Sequence, residues 1–291
     1  MKKTLKRLYR SLPFKQSVFS GLRLLPLPTS VYQHLHFEGV IRVRLGKGRS
    51  FLMRHHGYMI ENELFWRGIQ GWEKVSLELW TRLCRRSDTI FDVGANTGVY
   101  ALLAQALRPE ATIIAVEPVE RVFLKLEENI GLNGKGVIAI RAAVTDQEGE
   151  VTLYDTPARE HVLSVSLNKE FMRNDPLLQA TTVPARTIAG IAAEHRLERI
   201  DLMKIDVETH EPEVLAGFRK ILLRDKPSLL IEILNDEVAK RVEEQIKDVG
   251  YLYYNIDDVT WPPPRVATLT RSGHFNFLLC QPEVARSIGL V

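Results

Sequence analysis

A chain of 291 residues that is 45% hydrophobic and 26% charged has the composition of an ordinary globular protein. It excludes a disordered, collagen-like or disulfide-stapled class, and its length suits one large α/β domain with an accessory segment, or two small domains. The net charge of +3 conceals a split: residues 1–60 carry 12 Lys/Arg against the single acid Glu38, a balance of +11, while the rest carries 27 basic and 35 acidic side chains, a balance of −8.

In chain order, residues 1–25 are expected to form an amphipathic basic helix. Leu5, Leu8, Tyr9 and Leu12 repeat at helical spacing, and Pro26 and Pro28 end the segment. Residues 37–45 and 50–54 read as two short strands joined by Gly46-Lys47-Gly48. Residues 73–84 read as a helix with Val75, Leu79 and Leu83 on one face. From Thr89 the pattern becomes alternating strand and helix. Strands are expected at 89–93, 112–116, 137–141, 200–205, 228–233, 251–256 and 275–280. Helices are expected at 98–107, 119–130, 187–195, 212–222 and 235–249. A hairpin around Gly149, with 150–154 as its return strand, and an irregular excursion over 155–182 interrupt the series. Such alternation implies a mostly parallel sheet covered by helices on both faces. Residues 1–71 are expected to be a basic extension and 72–291 the main α/β domain.

Cys84 and Cys280 have no metal-ligand spacing and form no disulfide framework, so a reducing compartment is the default. No apolar run approaches the roughly 18–20 residues that cross a bilayer. Pro13, Lys15, Arg23, Pro26 and Pro28 break any signal-peptide core. The expected location is cytoplasmic, with residues 1–25 suited to the periphery of an anionic membrane.

The sharpest motif is Asp92-Val93-Gly94-Ala95-Asn96-Thr97-Gly98, at the end of the strand 89–93. Gly94 and Gly98 allow a tight turn and close approach of a ligand. In an open α/β sheet, ligands bind beyond the carboxyl ends of the strands. A dinucleotide fingerprint starting at Gly94 fails at Asn96 and Val99, and no Lys-Ser/Thr follows as a P-loop requires. An acid-led turn without lysine favours a cationic, phosphate-free ligand. S-adenosylmethionine meets that description. The second strand ends at Glu117-Pro118, where a carboxylate can accept both ribose hydroxyls.

These residues, with Asn133, Ala142-Ala143-Val144 and Lys204-Ile205-Asp206-Val207-Glu208, resemble the FkbM family of S-adenosylmethionine-dependent methyltransferases over residues 72–233. The resemblance implies a Rossmann-like class I fold with a seven-stranded, mostly parallel sheet whose last strand is antiparallel. It implies O-methylation of a sugar or metabolite hydroxyl. It places Asp92, Gly94, Ala95, Asn96 and Gly98 along the methionyl end, Glu117 and Pro118 at the ribose, and Asn133 and Ala143 near the adenine.

The acceptor side is read from Asp206-Val207-Glu208-Thr209-His210 at the end of the fourth core strand. Asp206 and Glu208 share a face at the period of a strand and can orient a hydroxyl, take its proton, or bind a divalent metal. No third ligand can be assigned, so no metal site is named. Thr209 stands where the family pattern has glycine, which implies an altered turn. His210 is a further candidate base. Three alternatives stay open. They are a nucleic-acid methyltransferase using the basic arm, weakened by the lack of an Asn-Pro-Pro-Tyr motif; a non-catalytic cofactor-binding module; and a nicotinamide enzyme, disfavoured by the failed glycine pattern.

Overall fold

A computed structural model describes residues 14–155 and 178–291. Leu5, Leu8, Tyr9 and Leu12, and most of the expected excursion, lie outside the described residues. The first helix, α1, covers Lys15–Leu22, and a single turn, α2, covers Thr29–Tyr32. The hairpin β1 (Gly39–Gly46) and β2 (Arg49–His55) follows as expected, antiparallel, with Val43 opposite Phe51. Next come α3 (Met59–Arg67), which the sequence pattern did not reveal, and α4 (Lys74–Cys84).

The αβ series then begins: β3 (Thr89–Val93), α5 (Val99–Leu107), β4 (Thr112–Val116), α6 (Glu120–Leu132) and β5 (Val137–Ile140). A small sheet follows, made of β6 (Ala143–Val144), β7 (Gly149–Asp155) and β8 (Gln179–Arg186). The chain continues through α7 (Ile188–Glu194), β9 (Leu202–Ile205), α8 (Glu211–Ala216), α9 (Arg219–Asp225) and β10 (Ser228–Glu232). It ends with α10 (Asp236–Ile246), β11 (Leu252–Ile256), β12 (Arg265–Val266), β13 (Asn276–Cys280) and α11 (Pro282–Ser287).

The main sheet has the order β12-β11-β13-β10-β9-β3-β4-β5. Strands β3, β4, β5, β9 and β10 run parallel, and β13 lies antiparallel between β10 and β11. This is the Rossmann-like architecture that the resemblance implies, with one correction. Among the described residues the sheet has eight strands, not seven, because after three prolines the chain returns along β11. The Asn255 amide donates to the Pro264 carbonyl at 3.0 Å, and Arg265 and Val266 pair as a two-residue edge.

Strand alternation assigns side chains to two faces. Ile90, Ile113, Leu202, Leu230 and Leu278 pack with α4, α5, α6, α11 and the hairpin residues Ile41, Val43, Phe51 and Met53. Phe91, Ile114, Met203, Leu229 and Phe277 pack with α7, α8, α9 and α10. Helix α4 buries Leu77, Trp80 and Cys84 as well as the expected Val75, Leu79 and Leu83, since it is enclosed by that first layer. Both cysteines are buried free thiols. Among the described residues no helix is long and apolar enough to cross a membrane.

The hairpin expected around Gly149 is also corrected. β7 pairs with β8 rather than with the segment before Gly149, and β6 lies parallel along the other edge of β8. β8 escaped notice because only Val183 and Ala185 of its eight residues are buried, so it carries no alternating apolar signal. The expected helix 212–222 is two helices, α8 and α9, interrupted at Gly217, where a Cβ would lie 2.4 Å from the Thr145 carbonyl oxygen.

Asn133 takes a different part from the one the resemblance gives it. Its Oδ1 accepts from the Leu52 amide at 2.8 Å, and its Nδ2 donates to the Leu52 carbonyl at 2.7 Å. One turn earlier, Asn129 accepts from the Arg54 amide at 2.7 Å and donates to the Thr97 carbonyl at 2.8 Å. These two side chains satisfy backbone groups along β2 that would otherwise form an open edge. They also tie the hairpin to the turn after β3.

Candidate active site

The turn after β3 is built by conformations that most residues avoid. Gly94 (φ 78°), Asn96 (φ 50°) and Gly98 (φ 95°) all lie in the left-handed region. A Cβ on Gly94 would lie 1.9 Å from the Asp206 carbonyl oxygen, so the two strand tips approach as closely as bare backbone permits. Gly98 is favoured by its φ of 95°, and a Cβ there would crowd only the movable end of the Leu126 side chain. It begins α5 and does not line the cavity below.

Asp92 and Lys204 are register partners across β3 and β9, and both point to the α5 side. Asp92 Oδ2 accepts from the Ala101 amide at 2.9 Å. Burial pushes its carboxyl up to about 7, against the opposing effects of Lys204 and the Ala101 amide. Glu117 accepts from the Asn96 amide at 3.0 Å on one oxygen and from the Val119 amide at 3.0 Å on the other. Burial pushes it, too, up to about 7. The Asn96 contact locks the turn to the tip of β4.

These tips open into a cavity of about 390 Å³, within the range of small-molecule sites. Of the residues singled out from the sequence, Asp92, Gly94, Ala95, Asn96, Glu117, Pro118, Ala143, Asp206 and Glu208 line it. Gly98, Asn133 and His210 do not. The cavity also brings in residues outside the site set expected from the sequence: Tyr58, Met59 and Ile60 at the start of α3, Trp72, Glu73, Tyr100, Lys204 and Glu232.

Lys204 organises this second group. It is 2% exposed, and its Nζ donates to Asp206 Oδ2 at 3.0 Å. It lies 5.3 Å from the centre of the Tyr100 ring, and the Tyr100 hydroxyl bonds to Glu73. Burial opposes its charge, but Asp206, Glu73 and Glu232 outweigh burial and hold the ammonium above its ordinary value. Glu232, at the tip of β10, is pushed up to about 9 by burial and then by the Asp206 charge. Burial also raises Glu73.

The segment after β9 differs from the expectation in one geometric respect. The strand ends at Ile205, so Asp206 and Glu208 do not share a strand face; a turn delivers both to the cavity. Glu208 (φ 53°) and Thr209 (φ 81°) are consecutive left-handed residues, the altered turn that threonine in a glycine position implied. The Thr209 hydroxyl is buried without a hydrogen-bond partner among the described residues. A Thr209→Gly variant should therefore be more stable by about 1 kcal/mol. Denaturant unfolding checks this, and an unchanged or lower midpoint would refute it.

His210 is turned away from the cavity. Its Nε2 is 3.0 Å from Thr145 Oγ1, and its Nδ1 is 3.5 Å from Glu213 Oε2. Burial lowers its pKa, with Glu213 opposing. The left-handed pair before it reverses the direction in which it points, so its place as a candidate base is corrected to that of a turn residue. Glu211 is fully buried, accepts from the Val207 amide at 3.1 Å, and holds the same turn from below.

The Methyltransferase FkbM domain model matches residues 92–253, over half of the chain. The chain belongs to the FkbM methyltransferase family. Among FkbM relatives, the 31-O-demethyl-FK506 methyltransferase FkbM of Streptomyces tacrolimicus is 30% identical over 156 residues, which cover 46% of this chain and 60% of that protein. The 2-O-methyltransferase NoeI of Sinorhizobium fredii is 27% identical, covering 53% of this chain and 66% of its own length. The hexuronic acid methyltransferase AglP of Haloferax volcanii is 26% identical, covering 54% and 60%. The chain thus spans about three fifths of these relatives. The FkbM match starts at Asp92, beyond both the hairpin and the cavity residues of α3.

Proposed function

We propose that the chain transfers a methyl group from S-adenosylmethionine to a hydroxyl of a sugar or small metabolite. One observation carries the reading. Two buried carboxylates, Asp92 and Glu117, flank a turn too tight for a Cβ at Gly94, and face a cavity whose one lining cation among the described residues is Lys204. That donor set suits a cationic, hydroxyl-rich ligand and repels phosphates. Thr97 lines the same cavity, and its hydroxyl has no hydrogen-bond partner among the described residues.

When bound, S-adenosylmethionine supplies a methyl group already activated by its sulfonium. In this reading Asp92 faces the positive methionyl end. Each Glu117 oxygen has accepted one amide and keeps a lone pair for a ribose hydroxyl. Pro118 and Ala143 form apolar wall beside them. Asp206, oriented by its ion pair with Lys204, takes the proton of the acceptor hydroxyl, and Glu208 orients that hydroxyl. The start of α3 and Trp72 close the cavity from the amino-terminal side and exclude water, so alignment supplies much of the acceleration. The O-methyl wording in two relatives' names and the sugar acid in a third support a hydroxyl acceptor of this kind.

Titration calorimetry with S-adenosylmethionine tests the cofactor half. Asp92 and Glu117 must be ionised to serve, and both sit at about 7 in the ligand-free protein. Affinity should therefore rise with pH across about pH 6 to 8, with proton release at the lower end. A carboxyl raised on folding holds its proton more tightly folded than unfolded. The ligand-free protein accordingly loses stability as pH rises from about 4 through about 7, and the cofactor offsets that loss. Asp92→Asn should bind at least tenfold more weakly and flatten the pH dependence. Wild-type affinity in that variant would remove the assignment. The acceptor half is tested by incubation with methyl-labelled S-adenosylmethionine and fractionated cell extract. Label confined to nucleic acid would overturn it.

A further inference from the structure

Helix α1 and the residues that flank it carry exposed apolar side chains as well as a buried apolar side. The inner side of the helix buries Phe19 against Phe37 and Trp66, and Gln16 Nε2 donates to the Val40 carbonyl at 2.6 Å, which fixes the helix beside β1. Its outer side should be polar if water were its only neighbour. Instead Phe14 is 81% exposed, Val18 49%, Leu24 86% and Leu25 55%. Val18 lies on the helix, Phe14 immediately precedes it, and Leu24 and Leu25 follow its end. Between them lie only Ser17, Ser20 and Gly21 as further exposed residues of the helix.

The surface next to this patch is basic. In β1, Ile41 and Val43 point into the core, so Arg42 and Arg44 alternate outward and are exposed, as is Lys47 in the turn. The hydrogen bond from Gln16 to the Val40 carbonyl sets α1 against β1, and Arg23 leads directly into Leu24 and Leu25. The two surfaces are therefore contiguous. Among the described residues, none of Arg23, Arg42, Arg44 and Lys47 forms an ion pair. Glu38 is the one acid between residues 14 and 60.

We propose that the outer face of α1, with the outer face of the β1–β2 hairpin, docks on an anionic lipid bilayer. Four exposed apolar side chains beside four cations that form no ion pair among the described residues make an interfacial surface in which apolar groups enter the headgroup region and the cations meet lipid phosphates. A nucleic acid would use the cations but leave the leucines in water. Each Lys or Arg brought to an anionic surface adds about fivefold to partitioning. The inference stands apart from the proposed reaction, because none of these residues lines the cavity.

The test is co-sedimentation of the full chain with vesicles of phosphatidylcholine alone or mixed with phosphatidylglycerol. Binding is expected on the mixed vesicles, weaker on phosphatidylcholine, and reduced by added salt. The pair Leu24→Glu/Leu25→Glu and the pair Arg42→Glu/Arg44→Glu should each lower partitioning at least tenfold while leaving S-adenosylmethionine affinity unchanged, which shows that they fold. Absence of binding to the mixed vesicles, or binding that both variants retain, overturns the proposal. So does light scattering that shows a dimer which Leu24→Glu/Leu25→Glu dissolves, because the patch is then a contact between copies of the chain.

Discussion

Gly94→Ala should abolish cofactor binding at concentrations that saturate the wild type. Two separate costs fall on this position. An alanine at φ 78° is strained by about 1–2 kcal/mol. Its Cβ would also overlap the Asp206 carbonyl oxygen, 1.9 Å away, and that oxygen belongs to backbone at the end of β9. The overlap can be relieved only by separating the tips of β3 and β9, an overpacking cost of about 1–3 kcal/mol. Because Asp92 and Asp206 stand on those tips, their spacing changes with the strain, and every 1.4 kcal/mol that reaches the bound state is tenfold in affinity. Gly131→Ala is the matched control. It lies within α6, meets nothing within 4 Å, and should gain about 0.5–1 kcal/mol of stability. Equal cofactor affinity in the two variants would show that the close approach at Gly94 is unimportant.

Lys204→Met should cost about 3–5 kcal/mol of stability at neutral pH. The substitution keeps the buried length of the side chain and removes one positive charge from among Asp206, Glu73, Asp92 and Glu232. What remains is a set of carboxyls around the cavity with no compensating cation lining it among the described residues. Protonation relieves that repulsion, so the gap from wild type should narrow as pH falls from about 8 to 5. Urea unfolding at the two ends of that range measures it. A constant gap would mean that Lys204 contributes packing and not charge, and no gap would mean that the cluster is solvated well enough to do without it. Lys204→Met should also weaken the orientation of Asp206, with turnover falling more than cofactor affinity.

The turn after β3 was legible because its signals are local. An apolar strand, an acid at its end and two glycines within seven residues determine direction, cavity and charge together. Glu117 was legible for the same reason. Lys204 was not. In Leu202-Met203-Lys204-Ile205 it reads as an interruption of a buried strand, and the partners that make its burial tolerable arrive from Glu73 just before α4, from β10 and from its own neighbour Asp206. Helix α3 was hidden because Glu61 and Asn62 are among its buried residues, which spoils the apolar stripe. His210 shows the limit of spacing arguments. Its distance from the strand end is that of a site residue, but Glu208 and Thr209 in left-handed conformations aim it at Thr145. The two-residue strand β12 depends on a long-range return that no local pattern encodes.

The amide side chains that hold the hairpin have a consequence for how the chain is made. Leu52 meets Asn133 across 81 residues, and Arg54 meets Asn129 across 75. The hairpin itself is local and closes within microseconds of emerging. Its clasp does not yet exist. At about 5–20 residues per second, the ribosome needs about 4–16 s to deliver α6. During that interval Ile41, Val43, Phe51 and Met53 face water and the outer edge of β2 is open, an arrangement that invites pairing with another chain. Ribosome-bound chains arrested before residue 120 should therefore hold trigger-type chaperones or a hydrophobic dye more strongly than chains arrested after residue 180. Equal retention would mean that another segment shelters the hairpin first. The hairpin is synthesised before the helix that clasps it, and the chain is most vulnerable to aggregation between those two moments.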